Sequence, residues 1–356
     1  MIVPFTLWQR YGDVKLVRDH YAAMAAWIDR LESHGSGLIQ PAGGYGDWLD
    51  IDDGTPLDLV GTAYFAESTA MMAQMSRALG RSYDAMRYLA LWSDIRDAFH
   101  TRFVGADGQV GNGSQTSYVL ALGFRLVPDG LVKAAADKLV AVIKAHGGQL
   151  TTGFLGTGGL LPVPTATGYS DVAYQLLEQK TVPPWGCQIG NGAATVWMRC
   201  DVIPTAGIPH APVPNSLNHF GLGAVGDWIH RTVGGIDPDP EHPGYKHFFL
   251  RPVPGVGTSG SGPGWADERY LSPYGQVRSC WERSEGAFAL RATVPGNSTA
   301  TVFVPASSRN AVSAPPGACF VRTSGGAVVY EVGSGTYTFT ARWSGDSAAK
   351  VQGRAR

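Results

Sequence analysis

The 356-residue chain is 44% hydrophobic and 16% charged, with 28 basic against 29 acidic side chains; this composition predicts a compact globular protein built as one large domain with an appendage or as two packed domains. Near-zero charge and the lack of any basic run exclude a surface that tracks nucleic acid, and no apolar stretch reaches the roughly 18 residues needed to span a bilayer. The four cysteines, Cys187, Cys200, Cys280 and Cys319, lie far apart with no C-x-x-C and no Cys/His cluster, so free thiols, no zinc or other metal, and no cofactor are expected. The opening residues lack a basic, then apolar, then small-residue leader pattern, and a soluble, cytoplasmic protein is the corresponding expectation.

From Tyr11 to Gly35, apolar residues recur at Val14, Val17, Tyr21, Met24, Ile28 and Leu31, steps of three and four that predict an amphipathic helix ended by Gly35. A second helix is predicted from about Leu57 to Leu79, with Met72, Met75 and Leu79 on one face and Gly80 as its stop. Ser82 is expected to cap a third, whose buried face carries Tyr88, Trp92, Ile95 and Phe99. Shorter helical patterns follow at about 114–124, 129–146, 168–178, 190–200 and 216–233, separated by loops such as Thr152-Gly-Phe-Leu-Gly-Thr-Gly; helices joined this closely pack antiparallel.

After about residue 245 the period falls from 3.6 to 2. Phe288, Leu290, Ala292 and Val294 alternate with other residues, Pro295-Gly-Asn turns the chain, Thr301-Val-Phe-Val follows, and Tyr337, Phe339, Ala341 and Trp343 alternate again. Short strands at this spacing predict a small antiparallel β-sandwich. The rigid connector Asp237-Pro-Asp-Pro-Glu-His-Pro-Gly sets the expected boundary, with a helical domain over 1–244 and the sandwich over 245–356.

The densest polar constellation is Gly46-Asp47-Trp48-Leu49-Asp50-Ile51-Asp52-Asp53-Gly54, four carboxylates around one tryptophan. Clustered carboxylates raise one another's pKa and suit acid–base work or calcium; the structural alternative for Asp52 and Asp53 is an Asx turn and helix cap. Counted from Asp50, the twelfth position that an EF-hand reserves for glutamate holds Gly61, which argues against calcium. Trp48, Trp185 and Trp197 sit in glycine-rich loop or helix-end positions where rings stack on sugars, although a lone tryptophan is more often core. Asn215-Ser-Leu-Asn218-His219-Phe opens a helix, from which His219 either faces a cavity as donor, acid or base, or serves as a structural cap. Gly153-Phe-Leu-Gly-Thr-Gly has no Lys-Ser/Thr after it, which excludes a nucleotide loop.

Taken together, Ile2-Val-Pro-Phe-Thr-Leu-Trp-Gln-Arg-Tyr-Gly-Asp, Tyr45-Gly-Asp-Trp-Leu, Thr151-Thr-Gly-Phe-Leu-Gly-Thr, Asp171-Val-Ala-Tyr, Pro184-Trp-Gly, Gly192-Ala-Ala-Thr-Val-Trp, Asn215-Ser-Leu-Asn-His-Phe, Ala224-Val-Gly-Asp-Trp and Pro243-Gly-Tyr-Lys-His match one family in order and spacing. Over nearly the whole chain this string resembles the bacterial α-L-rhamnosidases, inverting glycoside hydrolases with an (α/α)6 toroid and a C-terminal β-sandwich. The resemblance implies a mainly α fold whose toroid is incomplete here, with its open helical face covered by a homodimer or another partner, or with the ring closed by fewer helices.

It also implies a small-molecule, rhamnoside-like ligand. Trp48 corresponds to a pocket tryptophan and His219 to a histidine that contacts the sugar. Asp47 and His219 are the candidate catalytic residues, and Asp50, Trp185, Trp197, Met198, Asn215 and Asn218 the remaining candidate pocket residues. The family's general base is the glutamate directly after the tryptophan of its Gly-Ala-Thr-Thr-x-Trp motif, where this sequence reads Gly192-Ala-Ala-Thr-Val-Trp197-Met198; the family's general acid lies upstream of the first residue here. Inversion requires two carboxyl groups about 6.5–9.5 Å apart. Three functions follow as expectations: a sugar pocket with impaired hydrolysis unless Asp47, Asp50 or Asp171 is recruited, a repurposed cyclase or isomerase for a hydrophobic small molecule, or a non-catalytic interaction partner.

Overall fold

A computed structural model describes residues 1–181, 185–198, 216–255 and 262–343. Its helices are α1 (Ile2–Tyr11), α2 (Lys15–His34), α3 (Leu57–Ala78), α4 (Ser82–Phe103), α5 (Gln115–Gly123), α6 (Val132–Ala145), α7 (Phe154–Leu160), α8 (Pro162–Ala166), α9 (Ser170–Glu178), α10 (Trp185–Gly190), α11 (Phe220–Gly223) and α12 (Val225–Trp228). By contacts, Met1–Ala23 groups with the chain from Gly226 onward, and Met24–Val225 forms a second compact unit. None of the described helices is long and apolar enough to cross a membrane.

In the helical unit, α3 and α4 are the long hairpin that the 3.6-residue period predicts, burying Leu59, Phe65, Met72 and Met75 from one and Tyr88, Leu91, Ile95 and Phe99 from the other. Ser82 is the first helical residue and not the N-cap; Arg81 holds the N-cap position and its side chain makes no capping bond. The helix expected over 190–200 is instead α10 followed by turns through residue 198. That expected over 216–233 breaks into α11, α12 and a π-helical turn, Ile229–Val233, in a stretch where Gly221, Gly223 and Gly226 each weaken a helix by about 1 kcal/mol.

The glycine-rich stretch expected to be a loop contains α7, and the cause lies far away in sequence. A new helix leaves its first N–H groups without internal partners. Here Gly153 N donates to Asp47 Oδ2 at 2.7 Å, Phe154 N to the Trp48 carbonyl at 3.0 Å, and Leu155 N and Gly156 N to Asp47 Oδ1 at 2.7 and 3.1 Å. The Thr116 hydroxyl also donates to Asp47 Oδ2. Two consecutive residues thus satisfy the whole start of α7, which offsets the helix-weakening of Gly156, Gly158 and Gly159. The approach is so close that a Cβ at Gly153 would overlap the carbonyl oxygens of Asp47 and Trp48.

The unit that joins Met1–Ala23 to the chain from Gly226 contains a sandwich of β1 (Ile236–Pro238), β2 (His247–Leu250), β3 (Trp265–Ser272), β4 (Gly275–Ser284), β5 (Ala287–Val294), β6 (Thr299–Pro305), β7 (Val312–Ser313), β8 (Cys319–Ser324), β9 (Ala327–Val332) and β10 (Gly335–Arg342). They form two five-stranded sheets, ordered β1-β2-β6-β9-β8 and β3-β4-β5-β10-β7. The sandwich is antiparallel as expected except between β2 and β6, which pair parallel. Its core joins Trp281, Phe288 and Phe339 of one sheet to Phe248, Val302 and Tyr330 of the other, with the Tyr330 and Phe339 rings 5.3 Å apart. Trp281 Nε1 donates to the Val233 carbonyl at 2.7 Å, so its burial leaves no polar atom stranded.

The connector at Asp237 begins as a strand: Ile236–Pro238 pairs with β2. Asp237 also closes a chain of ion pairs, Arg10–Asp227 at 2.8 Å, Asp227–Arg231 at 3.3 Å, Arg231–Asp237 at 2.8 Å and Asp237–Arg251 at 2.6 Å. Burial alone lowers the Arg231 pKa, but Asp237 and Asp227 outweigh it and hold the guanidinium above its ordinary value.

The expectation of free thiols holds for Cys280 and Cys319. It fails for Cys187, which is disulfide-bonded, because separation along the chain is no guide to separation in space. Cys200 lies outside the described residues.

Two stability outcomes follow. Asp47→Ala leaves three buried N–H groups and a hydroxyl without their acceptor, each worth about 1–3 kcal/mol; thermal unfolding should show a loss of several kcal/mol, with Asp47→Asn in between, and a loss below about 1 kcal/mol would contradict the cap. Asp237→Ala removes a buried acceptor from Arg231, which keeps Asp227, and from Arg251, and should cost about 1–3 kcal/mol in denaturant unfolding, whereas Asp227→Ala, at a side chain 48% exposed, should cost about 0–1 kcal/mol.

Candidate functional site

The loop after α2 reaches α7 through its main chain and side chains together. Ile51 N donates to the Thr151 carbonyl at 2.9 Å, and Asp53 Oδ2 accepts from Gln115 N at 2.9 Å and from the Thr151 hydroxyl at 2.5 Å. Asp53 therefore caps α5, not the helix that follows it in sequence. Asp50 turns back on its own loop, its Oδ1 accepting from Asp53 N at 3.3 Å. Asp52 has a left-handed backbone, φ 51°. Asp47, only 3% exposed, has four donors on its two oxygens, which fills the roughly four lone-pair directions of a carboxylate.

Trp48 differs from its neighbours: its carbonyl is tied to α7 while its ring remains 52% exposed, flanked edge-on by Tyr45 at 5.9 Å. The residue that donates to this carbonyl, Phe154, stacks on the His219 ring at 4.4 Å and 29°. Phe220 lies against the same imidazole at 4.9 Å. His219 is the N-cap of α11, its Nδ1 accepting from Gly221 N at 3.0 Å; with Nδ1 as acceptor, the neutral ring carries its hydrogen on Nε2 as a donor.

The segment that carries Met198 pairs briefly with the segment that carries His219. Met198 N donates to the Ser216 carbonyl at 2.8 Å, His219 N to the Val196 carbonyl at 2.8 Å, and the Thr195 hydroxyl to the Leu217 carbonyl. Gln188 fixes the intervening residue by accepting from Trp197 N at 2.8 Å and donating to its carbonyl at 3.2 Å. Trp197 and Trp185 are each only 6% exposed, and Trp185 Nε1 donates to the Leu222 carbonyl at 2.8 Å; both are core residues, not open ring surfaces. Asn218 is exposed with its N–H on the Ser216 hydroxyl at 3.2 Å, and Asn215 lies outside the described residues.

Thus Asp47, Trp48, Met198 and His219 are linked through α7 and the 195–198 and 216–219 segments, while Asp50, Trp185 and Trp197 serve the surrounding framework. Sequence reasoning passes over Thr116, Phe154 and Gln188, whose roles are visible only from their partners. It also passes over Tyr64 and Glu67, one turn apart on α3. Burial, then the charges of Asp47 and Glu67, push the Tyr64 phenol up to about 12. Burial likewise pushes the Glu67 carboxyl above its ordinary value, with Arg125 opposing. Their i, i+3 spacing was the available signal.

Comparison with known proteins places this arrangement. A family model described as the bacterial alpha-L-rhamnosidase six-hairpin glycosidase domain matches residues 1–233, and one described as the bacterial alpha-L-rhamnosidase C-terminal domain matches residues 235–318. An alpha-L-rhamnosidase of Streptomyces avermitilis is 45% identical over 338 residues, covering 95% of this chain and 32% of the relative; one of Formosa agariphila is 33% identical over 313 residues, covering 85% and 33%. The crystal structure of the Streptomyces avermitilis enzyme complexed with L-rhamnose superposes with a TM-score of 0.89 at 44% identity, covering 96% of this chain and 32% of that one. The native rhamnosidase structure from Aspergillus terreus gives 0.83 at 29% identity, covering 96% and 38%.

The chain spans about a third of the length of these curated relatives. Its toroid-type helical domain followed by a β-sandwich is the fold the resemblance implied, and the chain belongs to the bacterial α-L-rhamnosidase family of six-hairpin glycosidases.

Proposed function

We propose that this chain carries the sugar-recognition part of an α-L-rhamnosidase-type site and binds an α-L-rhamnosyl group. Trp48 supplies the stacking surface, its ring open while its backbone is held by α7, and His219 supplies the Nε2 donor to a hydroxyl. The Streptomyces avermitilis relative, crystallised with L-rhamnose, supports a sugar as the ligand class.

One observation carries the chemical side of this reading. The Met198–Ser216 and His219–Val196 main-chain bonds hold the two segments together, with a thioether side chain at 198, the position where the resemblance puts the family's glutamate base. A thioether does not take a proton from water, so general-base assistance worth about 10²–10⁴ in rate is missing from that position. Asp47 does not replace it, because its acceptor sites are committed to α7 and Thr116. Its role in the site is positional.

Titration with L-rhamnose and hydrolysis of p-nitrophenyl α-L-rhamnoside test this together. Wild type should bind rhamnose, and Trp48→Ala and His219→Ala should each weaken binding about tenfold, equivalent to about 1.4 kcal/mol. Turnover should stay at background in wild type and in Met198→Glu. Wild-type turnover well above background, abolished by Glu67→Gln, would overturn the non-hydrolytic reading and assign the acid to Glu67.

A further inference from the structure

On one side of the sandwich the first sheet ends in β8 and the second in β7. β7 has only two residues, so among the described residues no strand of matching length lies opposite β8. Phe320 on β8 packs its ring 6.1 Å from Tyr330, a core side chain, yet remains 37% exposed. A cleft of about 380 Å³ lies at this edge, lined by Arg309, Asn310, Val312, Pro315, Phe320 and Tyr330 among others. That volume is at the lower end of the roughly 300–1,000 Å³ of small-molecule sites, suited to a single sugar unit.

The lining is chemically specific. The Arg309 guanidinium lies 4.6 Å from the Phe320 ring centroid. Among the described residues it has no carboxylate partner and no hydrogen bond, and the Asn310 amide likewise has none. The β8 sequence Cys-Phe-Val-Arg-Thr-Ser contributes no acid either. Edge protection accounts for the bulge between Phe320 and Arg322, which breaks the backbone register and disfavours addition of another strand. It does not account for Arg309 and Asn310, both exposed and without a hydrogen-bond or carboxylate partner among the described residues, lining the same cleft as Phe320 and Tyr330.

We propose that this edge is a subsite for a carboxylate-bearing sugar. Arg309 pairs with the carboxylate in the bidentate geometry that guanidinium favours, Asn310 meets a ring hydroxyl, and the exposed part of Phe320 with Pro315 covers an apolar sugar face. The subsite uses none of the residues of the Trp48–His219 site, so it stands or falls independently of that site.

The test is a low-salt titration of the full chain with D-galacturonate, with D-galactose and acetate as separate arms. Saturable galacturonate binding is expected, at least tenfold tighter than either galactose or acetate. It should weaken at least tenfold in Arg309→Ala and in Phe320→Ala, weaken less in Arg309→Lys, and stay unchanged in His219→Ala. Arg309→Gln, which keeps a polar side chain over the ring, repeats the measurement should the alanine variant unfold. Absence of saturable binding, acetate binding as tightly as galacturonate, or binding indifferent to loss of the Arg309 charge would each overturn the proposal.

Discussion

Four N–H groups at the start of α7 find their acceptors in two residues, Asp47 and Trp48, that lie about a hundred positions earlier in the chain. Without them the glycine-rich segment has little reason to be helical, since each glycine in a helix interior costs about 1 kcal/mol relative to alanine. With them, a buried carboxylate is fully solvated by protein donors, which is the condition for keeping such a charge out of water. The same tie decides what faces outward. It holds the Trp48 backbone while leaving its ring open, and it starts α7 at Phe154, whose ring then supports His219.

The site is therefore built in two steps of decreasing burial. Asp47, Thr116, Gly153 and Gly156 form a packed polar joint with no room for added atoms. Phe154, His219 and Phe220 stack on top of it. Because Gly221 N occupies His219 Nδ1, the imidazole has a defined donor end without help from any carboxylate. Sugar recognition by stacking and a hydroxyl donor needs no more than this. Hydrolysis needs two positioned carboxyl groups in addition.

How much of this the sequence showed depends on the range over which each feature is stabilised. The hairpin of α3 and α4 and the strands β5, β6 and β10 are legible because their apolar faces repeat within the element itself. α7 is not, because its stabilising partner is 106 residues away from Gly153. The carboxylate cluster stands out in sequence, but only the donors at Thr116, Gln115 and residues 153–156 separate the cap role of Asp47 and Asp53 from an acid–base role. Trp185 and Trp197 looked like Trp48 for the same reason: flanking glycines say nothing of the Leu222 carbonyl or the Gln188 amide that hold them inside. The parallel β2–β6 pair is likewise a contact between distant segments that no local pattern encodes.

Positions 198 and 47 differ in how much the fold depends on them. Met198 is half-buried, and the bonds that hold its segment run from Gln188 to Trp197 and from the Met198 N–H to the Ser216 carbonyl, so they do not depend on the side chain at 198. A neutral, flexible thioether fills such a position readily, whereas an unpaired carboxylate there bears a desolvation cost. Loss of the Asp47 carboxylate has no such tolerance, because four donors depend on it. The framework around Trp48 and His219 is therefore held by contacts that do not depend on the side chain at position 198.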